Sequence, residues 1–217
     1  MYRKRQISDF PIVIYGVRYS IYLILAGLAI SFWNWAVALV LVVPLAFVLY
    51  FFRNPRRSSN AGPNDILSPA DGKVLSITEI DENDFIKGKA VNVSIFLSVF
   101  NVHINRSPVA GQVKYHAYRE GKMLPAFKSH ASDINERNTI GIETEGGFKV
   151  MVHQITGFIA RRIVWWVKPG DRLAITERFG LIKFGSCTQI VVPLGTKILV
   201  DVGQTVRAGK TIIGEIK

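Results

Sequence analysis

Between Arg18 and Arg53 the chain runs for 34 residues, Tyr19 to Phe52, without one charged side chain. A membrane-crossing helix needs about 20 apolar residues. The run is too long for one span and slightly short for two. Its middle, "SFWNW" (Ser31 to Trp35), has the polar and aromatic character of a membrane–water interface. It separates "YSIYLILAGLAI" from "AVALVLVVPLAFVLYFF". Arg3, Lys4, Arg5 and Arg18 precede the run; Arg53, Arg56 and Arg57 follow it. Basic flanks favour the cytoplasmic side. With both ends on that side, residues 1–52 read as a helical hairpin with Trp33 and Trp35 near its tip, either spanning or re-entrant. A signal peptide ending at Gly27-Leu28-Ala29 is the first rival, but apolar sequence resumes directly after it. A hairpin buried in a soluble core is the second.

Residues 53–65 read as a linker. The stretch "FRNPRRSSNAGPND" (Phe52 to Asp65) has two prolines, Ser-Ser and Gly-Pro, which favour extended, irregular backbone. Residues 66–217 then read as one domain rich in strands. "KVLSITEI", "VNVSIFLSV", "QVKYHAY", "NTIGIET", "FKVMVHQIT" and "TQIVVP" are short alternating or β-branched runs bounded by turn residues. "TEGGFK" predicts a hairpin turn through Gly146-Gly147. "FKSHASDINERN" has room for one short helix. The fold class expected is mainly β (α+β), a compact barrel or sandwich behind the helical hairpin. "SPADGKVLSI" and "VDVGQTVRAGKTIIGEI" both resemble half-hairpins of lipoyl-type barrels. A carrier domain would need a lysine at the hairpin tip within a Met-Lys or Asp-Lys-Ala type motif, and neither segment has that motif.

Residues 53–217 hold 23 Lys and Arg against 15 Asp and Glu. This excess suits an anionic partner. Beside an apolar hairpin an acidic lipid surface is the economical choice, and no basic helix or aromatic-interleaved motif points to nucleic acid. The single cysteine, Cys187, excludes an internal disulfide framework and any multi-cysteine metal site.

Four polar features could carry chemistry. Asp71 lies in "SPADGKV", His103 in "FNVHINRSPVAG", Asn135–Asn138 form "NERN", and Gly185-Ser186 stand in "LIKFGSCTQIVVP". Each has an ordinary structural reading: a turn aspartate, a core histidine, a solvated loop and a turn serine. Taken together, Asp71, His103 and Ser186 could form a base-activated nucleophile. A serine hydrolase of the α/β type needs Gly-x-Ser-x-Gly at a strand–turn–helix junction. Here Phe-Gly-Ser-Cys-Thr leads into a strand, so that class fails. The nearest electrophile to the Ser186 hydroxyl is the carbonyl of Gly185. A membrane-anchored barrel adaptor without catalysis, and a plain hydrolase using Asp71, His103 and Ser186, stand as alternatives.

The motifs in their order resemble the phosphatidylserine decarboxylase family, in its short form found in bacteria and archaea. The likeness covers the apolar segment running into "FFRNPRR", then "SPADGKV", "FNVHINRSPVAG", "NERN", "QITGFIARRIV" and "RFGLIKFGSCTQIVVP".

The resemblance implies a proenzyme that cuts itself between Gly185 and Ser186. Ser186 would become a covalent pyruvoyl group, with Asp71 and His103 as the base pair that activates it. The products would be a β chain, 1–185, and an α chain, 186–217, held as a heterodimer. The pyruvoyl carbonyl would form a Schiff base with phosphatidylserine and release carbon dioxide to give phosphatidylethanolamine; archaetidylserine would serve by the same chemistry. No metal is implied. The setting implied is the cell membrane, with the catalytic domain on the cytoplasmic side. Longer family members carry a histidine three positions before the one matching His103; this chain has Phe100 there. The group that protonates the product carbanion is therefore open among His116, His130 and His153. Cys187, beside the nucleophile, reads as a small packed residue.

Overall fold

The computed structural model describes residues 10–122, 124, 134–157, 162–183 and 186–216. They divide into two compact units, with the boundary between Arg56 and Arg57.

The first unit is helical: α1 (Ile14–Ser31), α2 (Trp35–Val40) and α3 (Val42–Phe51). The turn between the arms forms because Asn34 caps α2, its Oδ1 accepting from the amides of Ala36 and Val37 at 3.0 and 3.3 Å. The other end is clasped where Ile12 bridges Arg53 and the Asn54 side chain donates to the Phe10 carbonyl at 2.9 Å. Gly16 permits close packing there, since a Cβ would stand 2.5 Å from that of Phe52. The second arm breaks at Leu41, so it is two short helices in series.

Tyr22, Leu25, Leu28, Val40 and Val43 are all exposed, and Phe32 and Trp33 at the turn are each 88% exposed. A helix apolar on all sides needs protein or lipid around it. α1 is long and apolar enough to cross a membrane; the second arm, Trp35–Phe51, is shorter. At 1.5 Å per residue α1 extends about 27 Å, close to the thickness of a hydrocarbon core.

The second unit is built from strands: β1 (Asp65–Leu67), β2 (Gly72–Glu82), β3 (Gly88–Leu97), β4 (Ile104–Arg106), β5 (Gly111–Arg119), β6 (Arg137–Glu143) and β7 (Lys149–Thr156) come first. β8 (Arg162–Trp165), β9 (Arg172–Leu173), β10 (Arg178–Lys183), β11 (Ser186–Pro193), β12 (Lys197–Ile198), β13 (Thr205–Val206) and β14 (Ile212–Glu215) follow. Eight of them form one antiparallel sheet in the order β13-β2-β3-β11-β7-β6-β5-β9. Two three-stranded sheets, β1-β14-β12 and β4-β10-β8, complete the unit. The fold is mainly β, as expected.

The core lies on one face of the large sheet. Val93, Ile95 and Leu97 of β3, Ile190 and Val192 of β11, Val150 and Val152 of β7, and Ile140 and Ile142 of β6 line it. These residues recur at every second position, as strand geometry requires. β11 sits between β3 and β7 and is buried on both faces, which explains why "SCTQIVVP" lacks any charge. The two lipoyl-like segments meet: Thr205 and Val206 of β13 pair with Lys73 and Gly72 of β2. Gly72 is required there because a Cβ would collide with the Phe96 carbonyl. Gly147, at φ 78°, closes the turn between β6 and β7. The short helix expected in 127–138 falls largely outside the described residues, and its last two residues, Arg137 and Asn138, begin β6 instead.

Candidate active site

Ser186 is the first residue of β11, paired with Leu97 of β3 on one side and Thr156 of β7 on the other. It is fully buried, and its Oγ has no hydrogen-bond partner among the described residues. Leaving a buried hydroxyl unpaired costs about 1–3 kcal/mol, and such groups in native folds call for a reason. Gly185, the expected partner in the cleavage step, lies outside the described residues, as does Phe184. Cys187 faces the other side of the sheet. Burial pushes its thiol up to about 12, so it is neutral and unreactive at ordinary pH.

His103 precedes β4 and is fully buried. Its Nδ1 lies 3.0 Å from the Asn101 carbonyl oxygen. A carbonyl can only accept, so Nδ1 donates this bond; in the neutral ring the lone pair then sits on Nε2, the tautomer a base needs. Asn101 is itself fixed: its Oδ1 accepts from the amide and hydroxyl of Ser98 at 2.9 and 2.8 Å. The His103 carbonyl accepts from the Ile182 amide at 3.2 Å, which ties the histidine to the end of β10, just before Ser186.

Asp71 closes the turn into β2. Its two carboxylate oxygens accept from the Nη1 and Nη2 atoms of Arg57, each at 2.6 Å, and Oδ1 also accepts from the Ala208 amide at 2.8 Å. Arg57 donates further to the Ala208 carbonyl at 2.7 Å. The expected contact to His103 is not made: among the described residues the carboxylate's partners are Arg57 and Ala208. The segments nevertheless converge. Arg106 of β4 donates its amide to the Pro69 carbonyl at 3.0 Å. Lys73 of β2 and Cys187 of β11 both pair with Phe96 of β3, so the Asp71 turn lies about two strand spacings, or 10 Å, from the Ser186 end of β11.

The candidate proton donors separate clearly. His153 pairs across from Gln189, on the sheet face opposite to Ser186. Burial, with Arg137 and Arg119 nearby, lowers it to about 3, so it is neutral at pH 7. His116 is on β5, three strands from β11 or about 14 Å across the sheet. Its Nε2 meets Asn138 Oδ1 at 2.8 Å. Neither stands beside Ser186, and His130 lies outside the described residues. Phe100 is 65% exposed at the bend before Asn101.

"NERN" is no solvated loop. Asn135, Glu136 and Asn138 are buried, and Asn135 bonds both the amide and carbonyl of Leu124 and the carbonyl of Thr156, all at 2.8 Å. Thr156 is the cross-strand neighbour of Ser186, so this cluster braces the Ser186 row. Sequence reasoning missed Arg57 and the buried amides of Asn105 and Gln154. Arg57 was visible only as one of several linker arginines, and nothing local marks its partner. A cavity of about 780 Å³ lined by Lys114, Glu143, Phe148, Arg172 and Ile216 lies at the far end of β6, away from Ser186. It is separate from these groups.

Comparison with known proteins gives the family. The family model described as phosphatidylserine decarboxylase matches residues 45–214. A phosphatidylserine decarboxylase proenzyme of Carboxydothermus hydrogenoformans is 56% identical over 192 residues, 88% of each chain. One of Symbiobacterium thermophilum is 49% identical over 192 residues, 88% of this chain and 89% of that one. One of Citrifermentans bemidjiense is 38% identical over 214 residues, 95% of this chain and 97% of that one. The chain belongs to the phosphatidylserine decarboxylase family.

Proposed function

We propose that this chain is a phosphatidylserine decarboxylase proenzyme that makes its own pyruvoyl group from Ser186. The observation that carries the reading is the Ser186 hydroxyl, buried and without a partner among the described residues, in a family with relatives named proenzymes. An activated nucleophile accounts for that hydroxyl; a turn serine does not.

In this reading His103 Nε2, which makes no hydrogen bond to Ser186 Oγ in the uncut chain, closes on it and takes its proton as the oxygen attacks the Gly185 carbonyl carbon. The Gly185–Ser186 C–N bond breaks, an ester forms, and the freed amine takes up a proton. Glycine suits the attacked position because it has no Cβ to obstruct the approach. Loss of the Ser186 α-proton expels the Gly185 carboxylate and leaves dehydroalanine. Water then replaces the nitrogen of its imine tautomer, releasing ammonia and leaving the pyruvoyl group at the head of residues 186–217. In the uncut chain Asp71 is bound by Arg57 and the Ala208 amide and makes no hydrogen bond to His103, so its part there is to fix the turn at the same end of the sheet.

Ser186 fits the precursor role because its hydroxyl makes no competing bond among the described residues. The pyruvoyl group supplies an electrophilic carbonyl for the substrate amine and an electron sink as carbon dioxide leaves. Burial of β11 keeps bulk water from that centre. The substrate is phosphatidylserine and the product phosphatidylethanolamine. The uncharged helical hairpin anchors the chain in the cell membrane, and its basic flanks favour the cytoplasmic side for the second unit.

Intact mass spectrometry of the chain expressed in membranes tests the reading. The expected result is two chains divided at Gly185–Ser186, the smaller one lighter by one ammonia than a chain beginning in serine. Phosphatidylserine is then converted. A single uncut chain of full mass, inactive on phosphatidylserine vesicles, refutes it.

A further inference from the structure

Along one face of β11 a polar row lies between Ser186 and the apolar core, which begins at Ile190. Thr188 pairs with Gln154 of β7, and Gln154 with Asn138 of β6. Asn105 reaches this row from β4. All four side chains are fully buried. They form a chain of hydrogen bonds with one direction. His116 Nε2 donates to Asn138 Oδ1 at 2.8 Å, and Asn138 Nδ2 to Gln154 Oε1 at 2.8 Å. Gln154 Nε2 donates to Asn105 Oδ1 at 2.8 Å, and Asn105 Nδ2 to Thr188 Oγ1 at 3.0 Å. Asn105 Nδ2 also faces the Pro69 carbonyl at 3.4 Å. That carbonyl can only accept, so it sets the orientation of Asn105 and, link by link, of the other amides. Gly180 of β10 makes the room: a Cβ there would stand 2.7 Å from Gln154 Nε2.

Stability alone does not ask for this row. Apolar side chains of the same shape serve a core as well or better. Hydrogen bonds add direction, and apolar contacts have none. Direction matters here because a slip of β11 by one residue would exchange the faces of Ser186 and Cys187. The row also joins the "SPADG" turn through Pro69, "HINR" through Asn105, "NERN" through Asn138 and "GSCT" through Thr188.

We propose that Asn105 is a positioning residue for self-cleavage: it pins Thr188, and through it β11, at the depth and register that aim the Ser186 hydroxyl at the preceding peptide bond. The proposal rests on the reading of Ser186 as the processing nucleophile. Thr188→Val keeps the shape and removes the acceptor; Thr188→Ser keeps the acceptor; Asn105→Ala removes the donor. Ile190→Val, two residues further along the same face, is the packing control.

The full chain is made by cell-free synthesis with phosphatidylserine-containing vesicles, and the cut fraction is followed by intact mass alongside the melting midpoint. Thr188→Val is expected to slow cutting by about tenfold or more, since small misplacements of a nucleophile are costly. Thr188→Ser stays within about twofold of the parent. Asn105→Ala combined with Thr188→Val cuts no more slowly than the slower single variant. Ile190→Val cuts at the parental rate although its midpoint falls. If Asn105→Ala does not fold, the two Thr188 variants decide. Thr188→Val cutting at the parental rate, or Thr188→Ser cutting as slowly as Thr188→Val, overturns the proposal and leaves the function intact. A parent chain that never cuts overturns both.

Discussion

Replacing Arg57 by alanine tests the part of the site that sequence reading did not foresee. Arg57 and Asp71 form a bidentate pair at 2.6 Å, with side chains only 9% and 11% exposed. Removing one partner of a buried pair leaves a carboxylate with neither water nor counter-charge. That costs about 3–5 kcal/mol. The Ala208 carbonyl loses its donor as well. For a chain of this size the melting midpoint should fall by roughly 10 °C. The measurement belongs in a Ser186→Ala background, so that every chain has the same covalent state, in detergent at pH 7. Arg172→Ala is the comparison, because its pair with Glu145 is 3.4 Å long with both side chains more than 80% exposed. Exposed pairs contribute little, and no shift of midpoint is expected. Adding Asp71→Asn to Arg57→Ala should recover part of the loss, since it removes the stranded charge. An Arg57→Ala midpoint no lower than that of Arg172→Ala would refute the buried pair. So would an Asp71→Asn effect that simply adds.

Other outcomes follow from the same geometry. Ser186→Ala should remain one uncut, inactive chain, and His103→Ala should block cutting too, both read by intact mass. His153 is held near 3 against an ordinary 6.5, so the unfolded chain binds the extra proton. Stability is therefore lost as pH falls below 6.5 and on toward 3, and His153→Gln should flatten that limb in denaturant titrations. Glu82 is raised by burial, but the amides of Asp84, Phe85, Ile86 and Lys87 outweigh this and lower it below 4.5. Its stabilising contribution is present above 4.5 and lost on acidification, so Glu82→Gln should destabilise at pH 7 and converge with the parent in acid. Cys187 should resist alkylation in the folded chain and react only on unfolding, because its thiol is buried and pushed up to about 12.

Much of the fold was legible because strand signals are local. The runs from "KVLSITEI" to "TQIVVP" each became a strand, and the turn at Gly146-Gly147 formed where its residues demand it. The helical arms were legible because 34 uncharged residues leave few options. The break at Leu41 was missed although Pro44 marks it: a proline inside a helix has no N–H for the carbonyl four residues back, here that of Val40, and its ring crowds that group. "NERN" was misleading for a physical reason. A dense polar cluster looks solvated unless partners for its amides are known, and those partners, Leu124, Thr156 and Gln154, come from other parts of the chain.

Sequence by itself determined the family, the strand-rich character of the second unit and the apolar hairpin. These follow from residue types, local spacing and the order of motifs along the chain. Tertiary structure alone decided that Asp71 faces Arg57, that the Asn101 carbonyl sets the His103 tautomer, and that His153 lies on the far face of the sheet. It also decided that four distant motifs share one row of hydrogen bonds. Each depends on strand order and register between segments up to about 150 residues apart, and hydrogen bonding is a property of pairs that no single segment carries.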